Sequence, residues 1–220
     1  MDASEPAALT NAQRFVRGVA PDAANRERDD FYPTPPEAVR ALLSVESFAG
    51  RGWEPCCGTG EIARTLIEAG HDIYASDLVD RGYGEAPVDF LLDYRTGANG
   101  EIDFVLTNPP FKHAEPFVRH ALRVTARSGG KVAMLCRLAW LEGLGRKRLF
   151  EATPLKSVWV FSNRLKMQRG RLQSINEHGS MIAFAWFVWD HDQARAFPRI
   201  EPTIGWLDSR PFQKPEDIPA

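Results

Sequence analysis

Four consecutive residues, Asn108-Pro109-Pro110-Phe111, combine types that can act together on an amino group. They follow the apolar run from Ile102 to Thr107. Proline at both central positions removes two N–H donors and stiffens the turn. The Asn108 side-chain oxygen and the Pro109 carbonyl can then both face a ligand as acceptors. Two acceptors suit an NH₂ group, which carries two hydrogens, and the flat face of Phe111 suits a stacked base. The same four residues would also make a rigid strand-ending turn with a core phenylalanine.

A second constellation lies upstream. Glu54-Pro55-Cys56-Cys57-Gly58-Thr59-Gly60 sits between an apolar run and a helical pattern. Glycines there let the backbone approach a ligand, and a helix N-terminus offers free N–H groups. Asp77 follows the next apolar run, where a carboxylate can accept from both ribose hydroxyls. Together these describe a nucleoside-cofactor site. Strand–glycine–helix turns are common in α/β proteins, however, and Asp77 alone would also serve as a solvated loop carboxylate.

The elements that must position these residues alternate. Glu37 to Val45 has helical periodicity. A strand ending at Trp53 precedes a helix over Glu61 to Gly70. Asp72 to Ser76 reads as a second strand, Val88 to Leu92 as a third, and Ile102 to Thr107 as a fourth. A helix from His113 to Arg127, stopped by Gly129-Gly130, leads to a fifth strand at Lys131 to Leu138. Such alternation implies a parallel sheet covered by helices on both faces. Beyond it, Ser157 to Phe161 and Met181 to Trp189 are β-rich without a helix between them, so an antiparallel pair is expected at the sheet edge.

Three stretches read differently. Residues 1–30 form a flexible N-terminal segment, with a short helix at Thr10 to Ala20 and a charged linker at Asn25 to Asp30. Residues 31–196 form the single α/β domain, and 197–220 a proline-rich tail draped over its surface. Residues 163–178 carry Arg164, Lys166, Arg169, Arg171 and His178 against one acid, Glu177. That hairpin could follow a phosphate backbone, or merely keep an edge strand soluble. Arg146-Lys147-Arg148 is a second basic cluster, with a helix's solvent face as the alternative.

Composition narrows the class. The chain has 220 residues, 44% hydrophobic and 25% charged, the profile of a globular protein able to bury a core. Its formal net charge of -2 is not the global signature of a nucleic-acid binder, so any such contact rests on a local basic surface. Three cysteines, two of them adjacent, make no disulfide framework, and no Cys or His pair has zinc-ligand spacing. No metal, no membrane span and a cytoplasmic location are expected. Met1 to Pro6 is acidic and lacks a signal peptide's basic start.

At this point a resemblance emerges. Glu54 to Gly60 resembles the cofactor motif of S-adenosylmethionine-dependent methyltransferases, and Asn108 to Phe111 the catalytic tetrapeptide [Asp/Asn/Ser]-Pro-Pro-[Tyr/Phe/Trp] of the amino-methyltransferases. Phe31-Tyr32-Pro33-Thr34-Pro35 resembles the upstream motif of DNA adenine-N6 methyltransferases. The three stand in gamma-like order, across roughly residues 31–140.

The resemblance implies a Rossmann-like fold with a seven-stranded, mostly parallel sheet and an antiparallel strand near one edge. It also implies S-adenosylmethionine as cofactor and adenine in DNA as target, in a small form without a large target-recognition domain. By the same resemblance, Asn108, Pro109, Pro110 and Phe111 are catalytic, and Thr34 contacts the methionine carboxylate. Gly58 and Gly60 approach the methionine moiety, Asp77 the ribose, and Asp89 with Phe90 the cofactor adenine, with Asp93 competing for that role. Tyr32, Glu54 and Cys56 complete the cofactor site, while Arg164, Lys166, Arg169 and Arg171 meet nucleic acid. Adenine in RNA, a protein glutamine amide and a catalytically silent binding subunit are the alternatives. Pro55-Cys56 lies in the cofactor loop, so a cysteine nucleophile is not expected, and Cys136, Trp186 and Trp189 read as packing.

Overall fold

The alternation of apolar runs with helical stretches has a direct consequence in the computed structural model, which describes residues 31–93, 102–167, 182–196 and 201–217. The expected helix at Thr10 to Ala20, the charged linker, and Arg169, Arg171, Glu177 and His178 lie outside the described residues. Seven strands form one sheet: β1 Arg51–Glu54, β2 Asp72–Ala75, β3 Phe104–Thr107, β4 Lys131–Arg137, β5 Leu155–Phe161, β6 Phe184–Asp190 and β7 Thr203–Leu207. Their spatial order is β2-β1-β3-β4-β6-β5-β7. β6 runs antiparallel to both β4 and β5, while the other pairs are parallel. The carboxyl ends of β1, β2, β3, β4, β5 and β7 therefore share one edge of the sheet.

Both faces of the sheet are covered. Val105, Val132, Met134, Cys136, Phe187 and Trp189 pack toward α3 (Ala114–Thr125) and α4 (Leu144–Glu151). Their neighbours in sequence, Phe104, Leu106, Ala133, Leu135, Trp186 and Val188, pack toward α1 (Pro36–Leu43) and α2 (Glu61–Glu68). Successive side chains of a strand point to opposite faces, so strands buried on both sides read as continuous apolar runs. The two buried indoles also satisfy their N–H groups. Trp186 donates to the Ala38 carbonyl at 3.0 Å and Trp189 to the Thr153 hydroxyl at 3.0 Å.

Two expectations are corrected. Val88 to Leu92 is not a strand: Asp89 folds the chain into a turn, its side chain accepting from the Leu91 N–H and its carbonyl from Leu92 and Asp93. Among the described residues, only an isolated bridge, Ser76 to Glu85, continues the sheet beyond β2. The tail does not merely drape over the surface, because β7 pairs with β5 and becomes the edge strand in place of the expected β5–β6 pair.

After β7 the chain returns to the first helices. Arg40 donates to the Phe212 carbonyl at 3.1 Å and to the Asp217 carboxylate, and Lys214 reaches Glu68 at 3.3 Å. These contacts hold α1, whose N-terminus carries the Tyr32-Pro33-Thr34 segment.

A buried carboxylate joins the same region to the sheet. Glu46, just beyond α1, is 4% exposed. It accepts from Lys156 at 2.8 Å, Ser157 at 2.9 Å, Trp159 at 3.0 Å and Lys131 at 3.4 Å. Burial alone would raise its carboxyl, but the hydrogen bonds from Lys156, Trp159 and Ser157 outweigh that and hold it below its ordinary value.

Candidate active site

Three turns meet at the carboxyl edge of the sheet and enclose a cavity of about 360 Å³. The β1–α2 turn contributes Glu54, Pro55, Cys56 and Cys57, and the segment after β2 contributes Asp77, Leu78, Val79 and Arg81. The turn after β3 contributes Asn108 and Pro110, and residues 31–34 close the side. A volume of this size is in the range of small-molecule sites, about 300–1,000 Å³.

Asn108 is the fixed point. Its amide Nδ2 donates to the Tyr32 carbonyl at 3.0 Å and to the Thr34 hydroxyl at 3.1 Å. A carbonyl can only accept, so the amide nitrogen must face Tyr32. The oxygen Oδ1 consequently points away; it is buried and has no partner among the described residues. An acceptor of this kind costs about 1–3 kcal/mol when unsatisfied, which marks it as a group awaiting a donor. Pro109 is buried beside it and does not line the cavity.

Phe111 opens a short 3₁₀ turn, Phe111–His113. Its ring stacks near Tyr32 at 5.9 Å between centroids and packs against Phe184 at 5.9 Å. The Arg137 guanidinium lies over the ring, 4.5 Å from its centre. The phenylalanine is therefore held by aromatic and cationic neighbours rather than presented bare.

Glu54 is the second orphan. It is 1% exposed, lines the cavity, and its Oε2 has no partner among the described residues. Burial pushes its carboxyl well above the usual range. A hydrogen bond from the Ala63 backbone opposes this in part, and the charges of Glu61 and Asp77 add to it. Asp77 braces the loops: Oδ2 accepts from the Gly58 N–H at 2.8 Å and Oδ1 from the Val79 N–H at 2.9 Å. Each carboxylate oxygen has further lone-pair capacity.

The other expected site residues fall into two groups. Tyr32, Thr34, Cys56, Asp89 and Phe90 all line the cavity. Phe90 is only 2% exposed, with its ring edge-on to Trp53 at 4.8 Å and to His120 at 4.6 Å, so it packs the core as well. Gly58 and Gly60 do not line the cavity. Both have positive φ, and a Cβ would lie 2.4 Å from Phe31 at Gly58 and 2.7 Å from Tyr83 at Gly60. The glycines thus admit two aromatic rings that shape the turn, and Arg81 in turn lies 4.3 Å over the Phe31 ring.

Arg164 and Lys166 are exposed, beyond the carboxyl end of β5 and so at the same edge as the Asn108–Phe111 turn. Asn163 instead clamps the C-terminal segment, bonding Ser209 at 2.9 and 3.0 Å. Arg137, Phe117 and His113 were missed from sequence. For Arg137 a signal existed, since it ends a strand at the carboxyl edge. Phe117 and His113 reach the cavity only because α3 begins directly after the turn.

The cysteines are not poised as nucleophiles. Burial pushes the Cys57 thiol up to about 12, and raises Cys56 and Cys136 as well. A thiol that stays protonated is a poor nucleophile. Among the described residues, no cluster of three or more His, Cys, Asp or Glu could hold a metal ion, and no helix is long and apolar enough to cross a membrane.

The fold is similar to that of several solved structures. One is a protein named as a modification subunit of a type I restriction enzyme from Vibrio vulnificus YJ016. It is 16% identical at a TM-score of 0.54, covering 90% of this chain and 50% of that one. A second is the type I restriction-modification methyltransferase subunit from Streptococcus thermophilus, 13% identical at 0.54, covering 85% and 49%. A third is DrdV in complex with DNA, 14% identical at 0.54, covering 89% and 30%. The chain spans about half the length of the first two. No protein-family model matches it, and no curated protein matches in sequence. At these identities the likeness establishes the class of fold: a Rossmann-like α/β sheet of the methyltransferase type.

Proposed function

We propose that the chain transfers a methyl group from S-adenosylmethionine to the exocyclic amine of adenine in DNA. One observation carries the reading: Asn108 is fixed by Tyr32 and Thr34 so that its buried, unpartnered Oδ1 is available to a hydrogen-bond donor at the cavity. The DNA target is supported by the order of the three motifs and by restriction-modification proteins among the structural neighbours.

The cavity's residues suit the cofactor. Glu54 would face a cationic part of it, Asp77 the ribose, and Cys56, Phe90 and Asp89 its apolar and base portions. Bound there, S-adenosylmethionine supplies an electrophilic methyl group on a sulfonium centre. The adenine amine is a poor nucleophile, because its lone pair is delocalised into the ring. Oδ1 of Asn108 would accept one of its hydrogens and favour a pyramidal nitrogen with an available lone pair. The same acceptor also stabilises the positive charge that grows on that nitrogen. No strong base is required, since the proton is acidic once the nitrogen is methylated. A base in duplex DNA must first leave the stack, and Phe111 would hold it once the Arg137 guanidinium over its ring moves aside.

The test is nucleoside mass spectrometry of DNA and RNA incubated with the protein and isotopically labelled cofactor. N6-methyladenine in DNA alone supports the reading, label in RNA alone moves the substrate, and no labelled nucleoside in either removes the activity.

Two further outcomes are expected here. Asp77→Ala should weaken S-adenosylmethionine binding by about 1.5–3 kcal/mol, the range for hydrogen bonds to a charged group. Calorimetry showing unchanged affinity in the folded variant would take Asp77 out of the site. Glu54 gives a pH dependence. Its carboxyl is raised and so stays protonated above the ordinary carboxylate range, and a cationic ligand favours the ionised form. Binding should therefore release a proton, and affinity should rise with pH until the free protein's Glu54 is ionised. Glu54→Gln should abolish that rise. Titrations in buffers of different ionisation enthalpy measure the proton, and a pH-independent affinity in the wild type contradicts the assignment.

A further inference from the structure

The overall charge is negative, yet a second cleft beside the active site is strongly basic. It measures about 640 Å³ and is lined by Lys112, Arg119, Arg123 and Arg146, with Glu115 as its one carboxylate. Lys112 belongs to the turn directly after Asn-Pro-Pro-Phe, while Arg119 and Arg123 follow along α3. Residues four apart share a helix face, and at 1.5 Å per residue the row from Lys112 to Arg123 runs roughly 16 Å. That is about the rise of four to five nucleotides in one strand of a duplex.

Two arginines are also pre-set. Glu115 accepts from Arg119 at 3.0 Å and from Arg146 at 2.7 Å, which holds the guanidinium groups side by side. Arg146 is further pinned 4.8 Å over the Trp140 ring. One carboxylate shared by two arginines leaves net positive charge and free N–H donors, the arrangement that suits phosphate oxygens. The cleft adjoins the reaction site: Leu91 lines both cavities, and His113 and Phe117 face the first while Lys112 and Pro116 face the second.

We propose that this cleft, between the Phe111–His113 turn, α3 and α4, binds the sugar–phosphate backbone of the nucleic-acid substrate and leads its target base to Asn108. The inference rests on the nucleic-acid reading above but names a different surface from the 163–178 segment. Backbone contacts position a nucleic acid without reading its sequence.

The test compares wild type with the triple variant Lys112→Gln, Arg119→Gln, Arg123→Gln. A control, Lys147→Gln with Arg148→Gln, removes exposed charges outside the cleft. Each is titrated with duplex DNA of mixed sequence, and with RNA of the same sequence, at several salt concentrations, and S-adenosylmethionine affinity is measured as a check on the fold. The slope of log K against log salt should fall by about 0.9 per lost phosphate contact, so by roughly two to three in the triple variant. The control should keep the wild-type slope, and cofactor affinity should hold in all three proteins. If wild type binds DNA and the triple variant keeps its slope, the cleft is not the contact and the nucleic-acid reading survives. An equal fall per charge in the control would show net charge at work rather than this cleft, and also overturns the proposal. If wild type binds cofactor but neither DNA nor RNA, the functional reading fails and the cleft assignment with it.

Discussion

Asn108→Ala is expected to slow methyl transfer by about 10²–10³-fold while largely sparing cofactor binding, by analogy with removal of one donor from an oxyanion hole. The proposed loss is of one acceptor at the nitrogen where positive charge develops. The structure adds two finer expectations. Thr34→Val removes one of the two acceptors that hold the Asn108 amide, so its effect on rate should be smaller but in the same direction. Asn108→Asp should also be impaired, because a carboxylate cannot donate to the Tyr32 carbonyl and would be repelled by it. Phe111→Ala should raise the apparent KM as well, and should not be additive with Asn108→Ala, since on the proposed reading both position one base. Labelled-methyl transfer to DNA, with cofactor affinity measured separately, checks all four. Near-normal turnover by Asn108→Ala would leave Asn-Pro-Pro-Phe as a turn and nothing more.

Glu46→Ala should cost about 3 kcal/mol of stability, because it strands groups on two strands at once. Ser157 and Trp159 lose a buried acceptor, and Lys131 and Lys156 lose their nearest carboxylate. The two lysines are 20% and 27% exposed, so water and Asp190, at 3.6 and 3.8 Å, recover part of their loss. For a chain of this size the melting temperature should fall by roughly 6–12 °C. The pH dependence follows from the direction of the shift. A carboxyl held below its ordinary value contributes stability that is fully present above the unfolded value and is lost as pH falls through the folded one. Wild type should therefore lose more stability than Glu46→Ala on acidification below the ordinary glutamate range. Thermal unfolding across that range measures the difference, and parallel curves would show that Glu46 is not the hub.

Much of this was readable from residue order alone. The strand–turn–helix units at Glu54 to Gly60 and after Thr107 have local causes: apolar runs that end at glycine or proline, followed by helical periodicity. The core positions of β3, β4 and β6 were equally local, since strands buried on both faces must be apolar throughout. The strand count agreed with expectation, but the identity of the strands did not. Val88 to Leu92 has strand-like composition, yet Asp89 caps a turn there. Thr203–Leu207 lies among prolines, yet finds the open edge of β5. Whether an apolar run pairs depends on a neighbouring strand presenting free backbone groups, and that neighbour is chosen by the whole sheet.

The amino-acid sequence by itself determined which residue types stand at the site and in what order. Only the tertiary structure decided how they are held. Asn108 takes its orientation from Tyr32 and Thr34, more than seventy residues upstream. Gly58 is required by a ring from Phe31, and α1 is anchored by Asp217 at the far end of the chain. Arg119 and Arg146, on separate helices, share one carboxylate. The physical reason is common to all four. Periodicity and turn chemistry act over a few residues and leave a local trace. A hydrogen bond or a packed ring between distant segments satisfies its partners only after the sheet has brought them together.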